Sequence, residues 1–409
     1  MKRTLNQIKV IAVLIFQIYA ISGFSQNSVD FKDEMIKSGE RFEIPEEFKT
    51  SPDDYDSFLK SKLLNTSANG STIFIGPREL GISSIGGRVR AALVDKTNQI
   101  YLVAPSGGGL WKFNGLTNDD FEPVNDFGSF MAITDIAQSP FNYNHILIGT
   151  GDGLHGIPGN GLFESKDGGN TFTKMISIDP KSNPDFNYIR FVKFSPYDSK
   201  TIYFSTNYKI FKSVNSGLTW DEVFNSGYSN IHSLDFLAGG SIITGVDNKG
   251  IFTSSNGNQG SFNLVTNDLP DDVAGANNGP IDGVVAATHA ANRNIAYAFF
   301  TGTANDVYKT TDNGVTWTLL TKPDFYIQQT WFCLTIGVHP VDPDIVILGS
   351  VLWAYTTDGG TSWKEGGGLE VDFHSVHFHG SDPNVAYLGY DQGLGRVDFN
   401  IYNAKLNLA

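Results

Sequence analysis

The sequence predicts an all-β protein assembled from repeated antiparallel sheets, and three observations predict it. Composition is the first: aromatics make up 13% of the 409 residues and charged residues only 18%, while 44 are glycine, a mixture that favours strands and turns over helices. The second is a turn sequence that recurs along the chain. The third is the spacing of the strand-like runs between those turns, roughly 40 to 60 residues from one unit to the next. Hydrophobic residues at 40% give enough apolar surface for a large folded, soluble body, and disorder is excluded as its general state.

The amino terminus reads as a targeting element. Lys2, Arg3 and Lys9 precede a largely apolar stretch from Val10 to Ile21, and the small residues Gly23 and Ser25 follow at alternate positions. This is the pattern of a Sec signal peptide over residues 1–25, cut before Gln26. The apolar run is too short for a spanning helix, which takes roughly 20 residues, and the region lacks the cysteine of a lipoprotein signal. The expectation is an exported chain, periplasmic or extracellular, with no membrane insertion after cleavage. Residues 26–70 form a polar segment with one short helix: Ser51 caps it, Pro52 fits its first position, and Asp53 and Asp54 complement its positive end. Tyr55, Phe58, Leu59 and Leu63 then fall on one face.

The recurring turn has four good copies. They are Ser165 to Phe172, Ser213 to Trp220, Thr310 to Trp317 and Thr356 to Trp363, with a degenerate copy from Ser254 to Asn258 and a further trace at Phe113-Asn114-Gly115. The pattern is Ser/Thr-x-Asp/Asn-x-Gly-x-Thr/Ser-aromatic. Asp or Asn folds back on backbone N–H groups and glycine takes a positive φ, so Asp167, Gly169, Asn215, Gly217, Asp312, Gly314, Asp358 and Gly360 are read as structural.

Two strand-like runs stand ahead of each turn and a third lies upstream, often ending at Pro or Asp. First strands near Val89, Ile133, Phe191, Leu234, Val285, Leu334 and Val376 mark units the size of β-propeller blades. The fold expected over residues 71–409 is a single β-propeller of about seven four-stranded blades. An early strand such as Thr72 to Ile75 would complete the last blade, which runs out around Arg396 to Phe399.

With these motifs in view, the repeated turn resembles the Asp-box of BNR-repeat proteins. Gly76-Pro77-Arg78, Gly86-Gly87-Arg88-Val89 and Gly107 to Lys112 resemble exported propellers of Bacteroidota, similar to the sortilin amino-terminal domain and to xyloglucan-cleaving glycoside hydrolases. The resemblance implies the fold and a peripheral, structural place for the turns. It also sets a test for activity. The xyloglucan-cleaving relatives carry a catalytic Asp in the first-blade loop that here reads Ser106-Gly107-Gly108-Gly109, so that carboxylate is missing. Sialidases of similar fold need an Arg cluster, a Tyr nucleophile and an Arg-Ile-Pro motif; Arg41 to Pro45 is not that motif, and Arg78, Arg88, Arg90, Arg190, Arg293 and Arg396 signal no triad.

The formal net charge of −14 argues against nucleic acid as partner, because that surface needs a basic footprint. Loops between the second and third strands of each unit emerge on one face, and the repeat alignment places Asp152, Asp247, Asp306 and Asp391 there, with His155 in the longest such loop, Gly151 to Gly161. These five are the candidate ligand-binding face. Asp152 and Asp391 come from units two and seven, which flank unit one, and form the conceivable carboxylate pair of a displaced hydrolase site. His374, His377 and His379 cluster in the last unit; His377 and His379 share a strand face, but no third ligand is identifiable and no metal or other cofactor is expected. Tyr228, Tyr326, Trp331 and Tyr390 stand near the same face as candidates for stacking. Cys333, the sole cysteine, lies in an apolar run and reads as a buried thiol. The function expected is a monomeric, non-catalytic propeller that binds a protein, peptide or glycan ligand through one face, the alternative being a xyloglucanase-like or sialidase-like glycoside hydrolase.

Overall fold

The computed structural model describes residues 75–79, 88–94, 101–105, 109–113, 121–124, 132–270, 281–302, 304–379 and 382–399. The signal peptide, the helix near Ser51, the loop residues 106–108 and the turn at Asn114 lie outside the described residues. Among those described, helix is confined to two short 3-10 turns, Pro184–Asn187 and Ala238–Gly240, and no helix is long and apolar enough to cross a membrane.

The described strands form seven four-stranded antiparallel sheets arranged as a β-propeller. Sheets 1 to 6 are each built from four consecutive strands, their first strands being Val89–Val94, Ile133–Gln138, Phe191–Phe194, Ile231–Phe236, Ile281–Thr288 and Thr335–Val338. Each first strand packs beside the first strand of the next sheet, so these inner strands wall a central channel. Sheet 7 takes Phe373–Phe378, Val385–Tyr390 and Gly393–Phe399 from the end of the chain and Ile75–Glu79 from its beginning. The closing strand is described over Ile75–Glu79; of the expected Thr72 to Ile75, residues 72–74 lie outside the described set. The inner strand of sheet 7 packs against that of sheet 1 and completes the ring.

Side chains tie neighbouring inner strands together where no backbone ladder runs. Asp135 Oδ2 accepts from Val192 N at 2.9 Å, Asp235 Oδ2 from Thr288 N at 2.9 Å, and His377 Nε2 from Ala92 N at 3.1 Å. Between sheets the core is apolar: Leu147 and Leu162 of sheet 2 pack with Phe204 and Phe211 of sheet 3, and Ile243 and Ile251 of sheet 4 with Ala298 and Phe300 of sheet 5. Such two-sided burial explains why the second strands read as short continuous apolar runs.

The repeated turns share one hydrogen-bond plan. Thr356 Oγ1 donates to Asp358 Oδ1 at 2.7 Å and accepts from Gly360 N at 3.0 Å, while Asp358 Oδ2 accepts from Ser362 Oγ at 2.6 Å. The turns at Asp167 and Asp312 repeat these contacts. At Asn215 the direction of one bond reverses, Nδ2 donating to Thr219 Oγ1 at 2.8 Å. Gly169, Gly217, Gly314 and Gly360 take φ between 81 and 88°. The aromatic that ends each turn packs inward, Phe172, Trp220, Trp317 and Trp363 each joining an inter-sheet core.

Candidate functional site

Inner strands begin on the face from which the second-to-third-strand loops emerge, so residues from both meet at one mouth of the channel. A bulge recurs there. Register shifts fall between Val89 and Ala91, Ile133 and Asp135, Ile231 and Ser233, and Phe373 and Ser375. The residue left without a partner strand position is Arg90, Thr134, His232 or His374, and all four line the central cavity of about 340 Å³. A bulge frees a residue from the alternation of a strand and re-aims its side chain.

Six of the mouth residues close into a circuit. Arg88 donates from Nε to Asp391 Oδ1 at 2.7 Å and from Nη2 to Asp391 Oδ2 at 3.3 Å. Its Nη1 donates to His155 Nε2 at 3.2 Å, and His155 Nδ1 donates to Asp152 Oδ2 at 2.7 Å. Arg90 Nη2 stands 3.6 Å from the same Asp152 oxygen. Arg90 Nη1 donates to His374 Nδ1 at 3.4 Å, and His374 Nε2 returns the proton side of its ring to Asp391 Oδ1 at 2.7 Å. Each imidazole accepts from an arginine and donates to an aspartate. Phe332, from the connection between sheets 5 and 6, packs on four members: the Arg88 and Arg90 guanidiniums lie 4.3 and 5.3 Å from its centroid, and His155 and His374 meet it edge-on.

Burial and these bonds set the ionisation. Burial by itself would raise the carboxyl of Asp152, but the hydrogen bond from His155 and the charges of Arg90 and Arg88 outweigh it and hold the group well below the usual carboxylate range. At Asp391 burial is likewise overcome, by the hydrogen bonds from His374 and Arg88. Burial, with Arg90 nearby, pulls His374 down to about 3 against the pull of Asp391. Burial also lowers Arg90, to about 10, in spite of Asp152, and lowers Arg190. A second, smaller pair lies across the channel, where His232 Nδ1 meets both oxygens of Asp247 at 2.8 and 3.0 Å.

The structure therefore brings Asp152, His155 and Asp391 into one network and seats Asp247 in a neighbouring pair. Asp306 begins the third strand of sheet 5, and among the described residues none of these contacts reaches it. Tyr390 corrects the aromatic set: it is 2% exposed and packs against Phe373. Tyr228, Tyr326 and Trp331 are exposed, Tyr228 at 96%, and Tyr208 on the same face packs edge-on against Tyr228. His377 and His379 are committed to backbone N–H groups of Ala92 and Asp382, and among the described residues no group of three or more His, Cys, Asp or Glu is placed to hold a metal ion. Cys333 is fully buried. The turn residues from Asp167 to Gly360 lie between the third and fourth strands of their sheets, away from the mouth.

No protein-family model matches the sequence, and no curated protein matches it. Solved structures do match. The structure titled YCF48 bound to D1 peptide superposes with a TM-score of 0.58 at 13% identity, over 82% of this chain and 98% of that one. The GH74 enzyme of Niastella koreensis matches with a TM-score of 0.58 at 19% identity, and the GH74 xyloglucanase of Xanthomonas campestris with 0.59 at 14%. The likeness is one of fold. This chain spans about half the length of either GH74 enzyme, 53% of each.

Three of the network residues escaped the sequence reading as members of a site. Arg88 and Arg90 were visible as arginines two apart ahead of and within a strand, and His374 as one of a histidine cluster. Their convergence depends on bulges and on ring closure between the two ends of the chain, neither of which a period-two pattern announces. Phe332 had no signal beyond lying next to Trp331.

Proposed function

We propose that this chain is an exported, non-catalytic recognition propeller of the Asp-box type that binds a protein or peptide ligand through the mouth formed by its second-to-third-strand loops. The observation that carries the reading is the pairing of Asp152 and Asp391 with arginine and histidine donors. Hydrolysis of a glycoside by an acid and a base requires one carboxyl kept protonated near neutral pH, whereas here arginine and histidine donors hold both as carboxylates. A rigid, internally paired floor under exposed Tyr228, Tyr326 and Trp331 suits recognition, since aromatics of this kind supply contact area at low entropic cost. The peptide carried by YCF48, a protein of similar fold, points the same way.

The second reading is a glycoside hydrolase, favoured by the likeness in fold to GH74 enzymes and by the linkage of Asp152 and Asp391 through one circuit. One experiment separates the two. Random peptides displayed on phage are selected on the purified protein, and reducing-sugar release from xyloglucan and sialyllactose is measured beside the Asp152→Ala, Asp391→Ala double variant. Retained peptides whose binding weakens in Trp331→Ala or Tyr228→Ala, with no sugar released, are the expected result. Sugar release that disappears in the double variant would establish the hydrolase instead.

A further inference from the structure

Three guanidinium nitrogens at the channel lack a hydrogen bond, one of them, Arg90 Nη2, having only the 3.6 Å ion pair with Asp152. Arg90 Nε and Nη2 and Arg190 Nη1 are shielded from solvent and have no hydrogen-bond acceptor among the described residues. Both side chains line the central cavity. A buried donor without an acceptor costs free energy, more so when it is charged, so these nitrogens mark a place built for an acceptor from elsewhere.

The carboxylates that share the cavity are already engaged. Asp152 accepts from His155 and from Leu154 N, and Asp235 accepts from Phe236 N and Thr288 N and pairs with Arg293 at 3.4 Å. Asp135 accepts from Ile136 N and Val192 N and pairs with Lys193 at 3.3 Å. Formal charges in the channel are close to balanced, and what is in surplus is donor N–H groups. A doubly charged phosphate would meet three fixed carboxylates, whereas a single carboxylate offers two oxygens in one plane to the guanidinium fork at a lower electrostatic cost. Leu154, Val285 and Leu334 add apolar lining for a short carbon stem.

We propose that the cavity takes a carboxylate group of the ligand, seated between Arg90 and Arg190. The inference rests on the peptide-recognition reading and names the chemistry of its anchor. An Asp or Glu side chain and a free chain terminus carry the same group, and the probes tell them apart.

Three peptides are titrated calorimetrically into the purified protein: acetyl-Ala-Ala-Ala with a free carboxyl terminus, acetyl-Ala-Glu-Ala-amide, and acetyl-Ala-Ala-Ala-amide. Either or both acidic peptides are expected to bind and the amide not to, with roughly a tenfold or greater loss in Arg90→Gln and in Arg190→Gln. Acetate is expected to raise the wild-type melting temperature relative to sodium chloride at equal ionic strength, a readout that needs no variant to fold. Equal binding of all three peptides, wild-type affinity in a folded Arg190→Gln protein, or no effect of acetate would each overturn the proposal. Displayed peptides that bind without an acidic group and ignore Arg190→Gln would remove the carboxylate anchor and leave recognition standing. Acetate binding with no displayed peptide retained would do the reverse.

Discussion

Phe332 shows how much a single side chain can hold in place at this mouth. Arg88 and Arg90 are like charges on one short segment, and each leans on the face of the same ring while His155 and His374 meet that ring in T-shaped contacts. The negative face of an aromatic ring attracts guanidinium and its positive edge suits a neighbouring aromatic. Removing the ring therefore loosens both arginines together with the apolar contact. Phe332→Leu is expected to destabilise the protein by about 1–3 kcal/mol, read as a lower denaturant midpoint at unchanged slope. An unchanged midpoint would mean that the arginines are held by their aspartates alone. Arg88→Lys makes the complementary case: lysine keeps the charge but lacks the planar fork that reaches Asp391 and His155 at once. It is expected to weaken acidic-peptide binding at the mouth, measured by the same calorimetry, although the charge is conserved.

At the scale of the element, the repeated turn is a self-contained device. Its aspartate gathers the hydroxyl two residues before it and the backbone N–H and hydroxyl four residues after, and its glycine sits at φ +88°, where a Cβ would also press on Leu320. Asp358→Ala is expected to cost about 1 kcal/mol, the usual worth of such a cap. Asp358→Asn should cost less than half of that, because Asn215 performs the same task in sheet 3; chemical denaturation of the two variants measures the difference. These turns were legible in the sequence because every member is local, within five residues of the aspartate or asparagine. The inner strands were legible as apolar runs, and their first residues fall close to the positions the repeat assigned. What sequence could not give is the bulge after Val89, Ile231 or Phe373: one residue out of step changes which side chain faces the channel, and no residue type marks it. For the same reason Asp152 and Asp391 were visible as equivalent loop residues, while the arginines that neutralise them were not.

At the scale of the whole molecule, the ring is shut by long-range contacts that share a protonation state. Seven histidines are pushed below their ordinary range, chiefly by burial: His145, His232, His289, His339, His374, His377 and His379. Several of them work as acceptors. His289, His339 and His379 stand at the same place after the inner strands of sheets 5, 6 and 7, and the Nδ1 of each accepts a backbone N–H from the turn that follows. His377, lowered to about 3, receives Ala92 N across the seam where sheet 7 meets sheet 1. A protonated ring has no lone pair to offer, so these turns and the seam need neutral imidazole. Above a pH of about 6.5 the folded and unfolded chains bind the same number of protons at these rings. Below it the unfolded chain takes up protons that the folded chain refuses, and stability must fall as the pH falls, with His374 and His377 extending the decline toward pH 3. Melting temperatures are therefore expected to be flat from pH 8 to 7 and to drop steadily between pH 6.5 and 4. Protonation of surface carboxylates opposes this by relieving the repulsion of a net charge of −14, and His377→Gln separates the two effects. Glutamine can accept from Ala92 N without titrating, so the variant should show a shallower decline than the wild type. A wild-type melting temperature that holds or rises as the pH is lowered to 4.5 would refute the account of a seam closed by neutral histidine.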